Sequence, residues 1–107
     1  MTEWVDVVEK NTIEVGEVFV VELEGTDVAI FNVSGEFYAI QDICTHDGSE
    51  ISTGCVFEHV IECPHHGAQF DIRTGAVLQA PAYEAIRTFP VRVEKGMIQV
   101  LNDDGSR

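Results

Sequence analysis

The chain has 107 residues, of which 45% are hydrophobic, and a formal net charge of −13 at pH 7. This length suits one small domain, so we predict that residues 1–107 form a single domain. The strong negative charge argues against nucleic acid as a partner, because phosphate binding needs positive charge, and no apolar run approaches the roughly eighteen residues of a membrane span.

The distribution of hydrophobic residues predicts an all-β protein with little helix, because short alternating runs are separated by glycine turns. In chain order, the predicted strands are residues 4–8, 17–23, 27–33, 36–41, 56–62, 69–72, 88–94 and 97–101. The pairs Ser34-Gly35 and Lys95-Gly96 fall where two-residue turns join hairpin strands. Both alternating faces of the run 27–33 are apolar, so we expect this strand to be buried on both sides.

Approximately residues 43–82 form the predicted metal-binding lobe. This lobe contains Cys44-Thr45-His46 and, after sixteen intervening residues, Cys63-Pro64-His65-His66. Each half-motif offers one thiolate and one imidazole, which together make the ligand set of a Rieske 2Fe–2S centre, with two His replacing two Cys on one iron. A glycine follows each half-motif and lets the backbone curl close to inorganic sulfide. The segment Ala80-Pro81-Ala82 is either a plain loop end or a third loop that covers the cluster and excludes water.

The candidate cluster ligands are Cys44, His46, Cys63 and His66. His65 and His66 compete for one position, and the spacing Cys-x-x-His followed by glycine favours His66. We expect His59 to be a solvated surface histidine and Cys55 to be a plain thiol, partly buried or in a turn. Zinc is the alternative metal, but zinc sites usually combine Cys-Cys and His-His pairs, whereas each pair here is mixed.

The placement of cysteines and charges bears on the compartment and the partners. The sequence opens with no secretory leader or arginine pair, and its three cysteines do not build a disulfide framework, so we expect a cytoplasmic protein. Residues 1–72 carry fifteen acidic residues and one cation, for a net −14, and residues 73–107 carry four acidic residues and five cations, for a net +1. This charge gives solubility, and it also favours steering toward basic protein partners.

With these residues in hand, the chain resembles the Rieske-type ferredoxins of bacterial aromatic-ring-hydroxylating dioxygenase systems. Beyond the two half-motifs, the resemblance is carried by Gln69-Phe70-Asp71, Arg73-Thr74-Gly75 and Pro81. It implies the Rieske fold, an antiparallel β-sandwich base with an inserted cluster-binding lobe. It also implies that Cys44 and Cys63 bind the inner iron, while His46 and His66 bind the outer iron near the surface.

A chain that holds such a cluster and little else is most simply an electron carrier. The resemblance implies that it relays electrons one at a time from a flavin-containing, NAD(P)H-dependent ferredoxin reductase to a terminal oxygenase. We expect no catalytic residues, and a monomer is the default for a mobile carrier. An oxygenase would need a second iron held by two His and a carboxylate, and only His59 and His65 are left for it. The alternatives are the small Rieske-like subunit of an assimilatory nitrite reductase and a zinc-stapled interaction module.

Departures from the Rieske proteins of respiratory complexes bear on the reduction potential. Those proteins carry a second cysteine in each loop, where this chain has Ser49 and His65, so no bridging disulfide can form. They also carry hydroxyl groups at the positions of Ala68 and Phe70. Hydrogen bonds to sulfur stabilise the added electron, so we expect a potential near the lower end of the span of roughly −150 to +300 mV.

Overall fold

In the computed structural model, three antiparallel sheets make up the chain, which the structure describes for residues 3–45, 48–64, 67–80, 82 and 84–102. The described strands are β1 (Glu3–Glu9), β2 (Val18–Leu23), β3 (Thr26–Val33), β4 (Glu36–Gln41), β5 (Cys55–Phe57), β6 (Val60–Glu62), β7 (Gln69–Asp71), β8 (Val77–Gln79), β9 (Thr88–Phe89), β10 (Val91–Glu94) and β11 (Met97–Asn102). Two single turns of 3-10 helix occupy Lys10–Thr12 and Ile51–Thr53. Within these ranges, no helix is long and apolar enough to cross a membrane.

The strand orders are β1-β11-β10 in the first sheet, β2-β3-β4-β9 in the second and β5-β6-β7-β8 in the third. Tight turns at Ser34-Gly35 and Lys95-Gly96 join β3 to β4 and β10 to β11, as the sequence predicts. Both residues of each turn have positive φ, 56° and 93° in the first and 53° and 81° in the second. Such turns match the right-handed twist of paired strands and therefore set the register of the two hairpins.

The second sheet is covered on both faces, and strand β3 shows this most directly. Val28 and Ile30 belong to an apolar cluster that also contains Ile98 of the first sheet. Phe31, on the opposite face of β3, belongs to a second cluster that contains Phe70 of the third sheet. The burial of this strand on both sides is thus confirmed, as is the prediction of an antiparallel β-sandwich base that carries a further lobe.

Two of the predicted strands are wrong, because each is a pair of strands in the structure. Residues 56–62 contain a tight turn at Glu58, whose φ is 55°, and this turn separates β5 from β6. Pro90 divides residues 88–94, so that β9 pairs with β4 whereas β10 pairs with β11. Proline lacks the backbone N–H that a continuous ladder would need, which suits it to the point where the chain changes sheet. The sequence also missed β8, because three residues are too few to show an alternation.

The third sheet lies within the predicted lobe of approximately residues 43–82. The loop between β6 and β7 carries Cys63, and the loop that follows β4 carries Cys44. The base therefore supplies one cysteine loop and the third sheet supplies the other. That the whole chain is one domain stays a prediction.

Gly75 marks a close approach between the lobe and the segment that leads back to the base. Its φ is +79°, and a Cβ atom added there would overlap the carbonyl oxygen of Ile86. The backbone N–H of Ile86 also donates to the carbonyl oxygen of Gly75 at 2.8 Å. The glycine in Arg73-Thr74-Gly75 is therefore required for both conformation and space.

We expect Gly75→Ala to lower the free energy of unfolding by about 2–5 kcal/mol, which combines about 1–2 kcal/mol for left-handed backbone with about 1–3 kcal/mol for overpacking. Gly25→Ala is the matched control, because Gly25 has a φ of +85° and no atom within 4 Å of an added Cβ. Gly25→Ala should lose only the part of the unfolding free energy that arises from the left-handed backbone, about 1–2 kcal/mol. Urea unfolding followed by circular dichroism measures both, and equal losses would contradict the role of the close approach.

Candidate metal centre

Two buried cysteines lie on two different loops of the lobe. Cys44 is 0% exposed and Cys63 is 1% exposed, and both belong to the apolar cluster that contains Phe70. The three cysteines of the chain, all within the described part, form no disulfide with one another. Cys55 is exposed on strand β5, which corrects the expectation of a partly buried thiol or one in a turn. The two buried thiols are the soft ligands that the sequence predicts for iron.

The first cysteine loop, from Cys44 to Ser49, is closed by two backbone hydrogen bonds. The N–H of Cys44 donates to the carbonyl oxygen of Ser49 at 2.7 Å, and the N–H of Gly48 donates to the carbonyl oxygen of Cys44 at 2.7 Å. Gly48 has a φ of 79°, a left-handed conformation that favours glycine. The loop therefore returns on itself within six residues.

The second cysteine loop, from Cys63 to Ala68, repeats this arrangement. The N–H of Cys63 donates to the carbonyl oxygen of Ala68 at 2.7 Å, and the N–H of Gly67 donates to the carbonyl oxygen of Cys63 at 3.2 Å. Gly67 has a φ of 78°. Each loop thus has its cysteine first, a left-handed glycine fifth and a small residue sixth, so the two half-motifs are matched in backbone structure as well as in sequence.

The predicted imidazole ligands, His46 and His66, and the competing His65 lie outside the described residues. Among the residues that the structure describes, no group of three or more His, Cys, Asp or Glu side chains is placed to hold a metal ion. The structure therefore gives the positions of the two cysteine sulfurs and the hydrogen bonds that close their loops. The full set of Cys44, His46, Cys63 and His66 stays a prediction.

A buried carboxylate holds the first cysteine loop at the end of β4. Asp42 is 7% exposed, and its two oxygens accept the backbone N–H and the hydroxyl of Ser52 at 2.7 and 2.9 Å. The N–H of Asp42 donates to the carbonyl oxygen of Asp27 at 2.8 Å, which ties the loop to the second sheet. Sequence reasoning missed this pair, because two polar residues ten positions apart form no recognisable motif.

The covering segment, residues 79–86, is hydrogen-bonded to both cysteine loops. The side-chain amide of Gln79 donates to the carbonyl oxygen of Gly67 at 3.3 Å. The hydroxyl of Thr45 donates to the carbonyl oxygen of Glu84 at 2.6 Å. Ala82 is 2% exposed and shares the apolar cluster of the two cysteines. These contacts favour the third-loop interpretation of this segment, of which Pro81 lies outside the described residues.

Ser49 joins the two cysteine loops through its side chain. Its hydroxyl oxygen lies 4.0 Å from Sγ of Cys63, and its carbonyl oxygen accepts the N–H of Cys44. Ala68 and Phe70 offer no hydroxyl, as the sequence shows, but Ser49 brings one close to a sulfur. In the sequence, Ser49 is notable only as the position of an absent cysteine. The matched spacing of glycine and a small residue after each cysteine could have indicated that Ser49 lies near the cysteine of the other loop.

His59 is half-buried, which corrects the prediction of a solvated surface histidine. Its ring meets the ring of Tyr38 edge-on, with centroids 5.7 Å apart, and its carbonyl oxygen accepts the N–H of Ile72 at 2.7 Å. It lies in the turn between β5 and β6, at the opposite end of β6 from Cys63. His59 therefore packs the far end of the lobe against strand β4.

The same end of the third sheet carries an ion pair between Asp71 and Arg73. One oxygen of Asp71 accepts the backbone N–H and the Nε–H of Arg73 at 2.8 and 3.2 Å, and the other accepts an Nη2 hydrogen at 3.1 Å. The side-chain hydrogen bond from Arg73 holds the pKa of Asp71 below its ordinary value, against the opposing effect of burial. The pair fixes the turn that leads to Gly75.

We expect Asp71→Asn to lose a pH-dependent part of the stability. Because the folded pKa of Asp71 is lowered, its stabilisation is complete above the ordinary carboxyl pKa of about 3.9 and is lost as the pH falls through the lowered folded value. The difference in unfolding free energy between the unmodified chain and Asp71→Asn should be constant from about pH 7 to pH 5 and shrink below about pH 4. Urea unfolding at each pH measures it, and Arg73→Gln, which removes the partner, should show the same trend. A difference that grows on acidification would contradict the assignment.

The comparison with protein families gives one match over most of the chain. The model of the Rieske [2Fe-2S] domain family matches residues 3–90. The ferredoxin component of the naphthalene 1,2-dioxygenase system of Pseudomonas aeruginosa is 40% identical over 101 residues, which cover 94% of this chain and 97% of that protein. The matched region contains both cysteine loops and the covering segment.

Solved structures show the same similarity in three dimensions. The Sphingomonas yanoikuyae B1 ferredoxin has a TM-score of 0.87 and 31% identity, and the match covers 94% of this chain and 100% of that one. A chain in the complex of reduced oxygenase and oxidized ferredoxin in carbazole 1,9a-dioxygenase has a TM-score of 0.86 and 33% identity, covering 91% of each chain. A putative NADH-dependent nitrite reductase small subunit from Mycobacterium tuberculosis reaches a TM-score of 0.85 at 23% identity, covering 96% of this chain and 97% of that one, which shows the fold alone. The comparisons thus favour the dioxygenase ferredoxins over the nitrite reductase alternative.

Proposed function

Because the chain belongs to the Rieske [2Fe-2S] domain family, we propose that it is the ferredoxin of an aromatic-ring-dihydroxylating dioxygenase system. In this proposal it takes electrons one at a time from a flavin-containing, NAD(P)H-dependent ferredoxin reductase and passes them to a terminal oxygenase. The observation that carries the proposal is the pair of buried cysteines on two loops with the same backbone hydrogen bonds. When bound, the 2Fe–2S cluster supplies one reversible one-electron site.

The proposed ligands are divided between two irons, with Cys44 and Cys63 on the inner one and His46 and His66 on the outer one. The burial of both cysteines supports the inner assignment, because thiolates that are 0% and 1% exposed are sheltered from water. Each predicted imidazole lies in sequence between its cysteine and a left-handed glycine, within a closed loop. The donor set therefore fits an iron–sulfur cluster, and the match to a 2Fe–2S family favours it over zinc.

The proposal assigns electron transfer to this chain and the oxidation of substrate to its partner. A mononuclear oxygenase site needs two His and a carboxylate. Among the described residues, His59 is packed against Tyr38 and hydrogen-bonded to Ile72 through its carbonyl oxygen, which suits structure and not catalysis. We further propose that the protein works in the cytoplasm as a monomer, since a carrier must reach two partners in turn.

The surface beside the cysteine loops suits brief contact with each partner. Pro64 of the second loop and Ala80 of the covering segment are exposed there and carry no charge. Small interfaces of this kind allow rapid dissociation after transfer. The net charge of −13 favours partners with basic docking surfaces, and screening by salt should slow their encounter.

We expect His66→Ala to abolish the Rieske absorption and electron paramagnetic resonance spectra of the purified protein, because it removes one imidazole from the outer iron. The matched variant His65→Ala should retain both spectra, since that residue is not a proposed ligand. The two histidines are adjacent in the second loop, so the pair controls for local disturbance. Loss of the spectra in His65→Ala and their retention in His66→Ala would reverse the ligand assignment.

The relay itself is tested by combining the purified chain with a candidate reductase, NAD(P)H and a terminal oxygenase. We expect the rate of formation of the dihydroxylated product to depend on the chain and to fall as salt is added, because opposite charges bring the partners together. The reductase and this chain without oxygenase should form no product. A preparation that is colourless and lacks acid-labile sulfide after anaerobic reconstitution would contradict the proposal.

A further inference from the structure

We propose that Ser49 raises the reduction potential of the centre by donating a hydrogen bond from its hydroxyl to Sγ of Cys63. The inference rests on the proposed cluster site and adds to it a residue outside the ligand motif. Ser49 belongs to the first cysteine loop, whereas the sulfur that it meets belongs to the second. It is therefore a positioning and tuning residue for a ligand that lies fourteen residues away in the chain.

The main chain holds Ser49 where its hydroxyl faces the sulfur of Cys63. Its carbonyl oxygen accepts the N–H of Cys44 at 2.7 Å, so the residue is held in the closing position of the first loop. From there its hydroxyl oxygen lies 4.0 Å from Sγ of Cys63, at the upper limit of hydrogen bonds to sulfur. Because the two hydrogen bonds that close the loop join main-chain groups, Ser49→Ala removes the hydroxyl and keeps the groups that form both bonds.

The direction of the hydrogen bond follows from the chemistry of the ligand. A metal-bound Cys63 is a thiolate without a proton, so the hydroxyl of Ser49 is the only possible donor of the two. When one electron enters the centre, negative charge on the sulfur increases, and a hydrogen bond to it becomes stronger. No bond is broken and no proton is transferred. The reduced state is therefore stabilised more than the oxidised state, which raises the potential.

The burial of Cys63 increases the effect of the Ser49 hydroxyl on the reduction potential. Cys63 is 1% exposed, so its sulfur has little contact with water that could replace the hydroxyl. A hydrogen bond in such surroundings is electrostatically stronger than one in water. Ala68 holds the matching sixth position of the second loop and has a methyl group there. Of the two residues at the sixth position, only Ser49 of the first loop carries a hydroxyl.

The test is the midpoint potential of the cluster-loaded protein, measured by protein-film voltammetry. We expect Ser49→Ala to bind the electron roughly threefold to tenfold less tightly, and a tenfold change corresponds to about 59 mV for one electron. Ser49→Thr keeps a hydroxyl and should restore most of the loss. Thr53→Ala is the control, because the hydroxyl of Thr53 donates to the carbonyl oxygen of Glu50 at 3.0 Å and not to sulfur, so its potential should not change.

The outcomes separate this inference from the proposed function. An intact Rieske spectrum with an unchanged potential in Ser49→Ala overturns the role of Ser49 and leaves the carrier function standing. Equal shifts in Ser49→Ala and Thr53→Ala also overturn it, because they would indicate a general loosening of the loop. If Ser49→Ala fails to retain the cluster, Ser49→Gly removes the same hydroxyl without placing a methyl group beside the sulfur. The absence of any Rieske spectrum in the unmodified chain would instead overturn the proposed function.

Discussion

The constraint on which the molecule depends is the need to hold two sulfur atoms, nineteen residues apart in sequence, in one dry region of the lobe. Each sulfur belongs to a cysteine that is the first residue of a loop. The loop closes by one hydrogen bond from the N–H of that cysteine and another to its carbonyl oxygen. Both backbone polar groups of Cys44 and of Cys63 are thus paired within the loops, so the cysteines are buried without unpaired main-chain groups. The rest of the fold sets the separation and orientation of these two loops.

The base provides that support through strand β3, whose two faces serve two different cores. One face joins the first two sheets, and the other receives the lobe with its cysteines. A rigid base suits an electron carrier, because small reorganisation of the ligands on reduction keeps transfer fast. The covering segment completes the enclosure by placing Ala82 in the same cluster as the two sulfurs. Cys44, Cys63 and Ala82 are all buried from solvent as a result.

The sequence predicted the parts of the fold that local chemistry determines. Glycine turns, alternating strands and the two half-motifs are short-range patterns, and the β class, strand β4 at its observed bounds and both cysteine loops followed from them. Interactions between distant residues were not predictable. The break at Pro90 was visible as a proline, but the change of sheet depends on which strand each half meets. The contacts of Asp42 with Ser52 and of Ser49 with Cys63 depend likewise on how loops meet in space.

The two tethers of the covering segment have an evolutionary consequence. These tethers are the hydrogen bonds from Thr45 to the carbonyl oxygen of Glu84 and from Gln79 to the carbonyl oxygen of Gly67. Because the acceptor at position 84 belongs to the main chain, the first bond does not depend on the side chain there. The exposed side chains of Ala80 and Glu84 can therefore diversify while the enclosure of the sulfurs is kept. Descendants of one such chain could change which reductase or oxygenase they serve by drift at these positions, without first losing the metal centre.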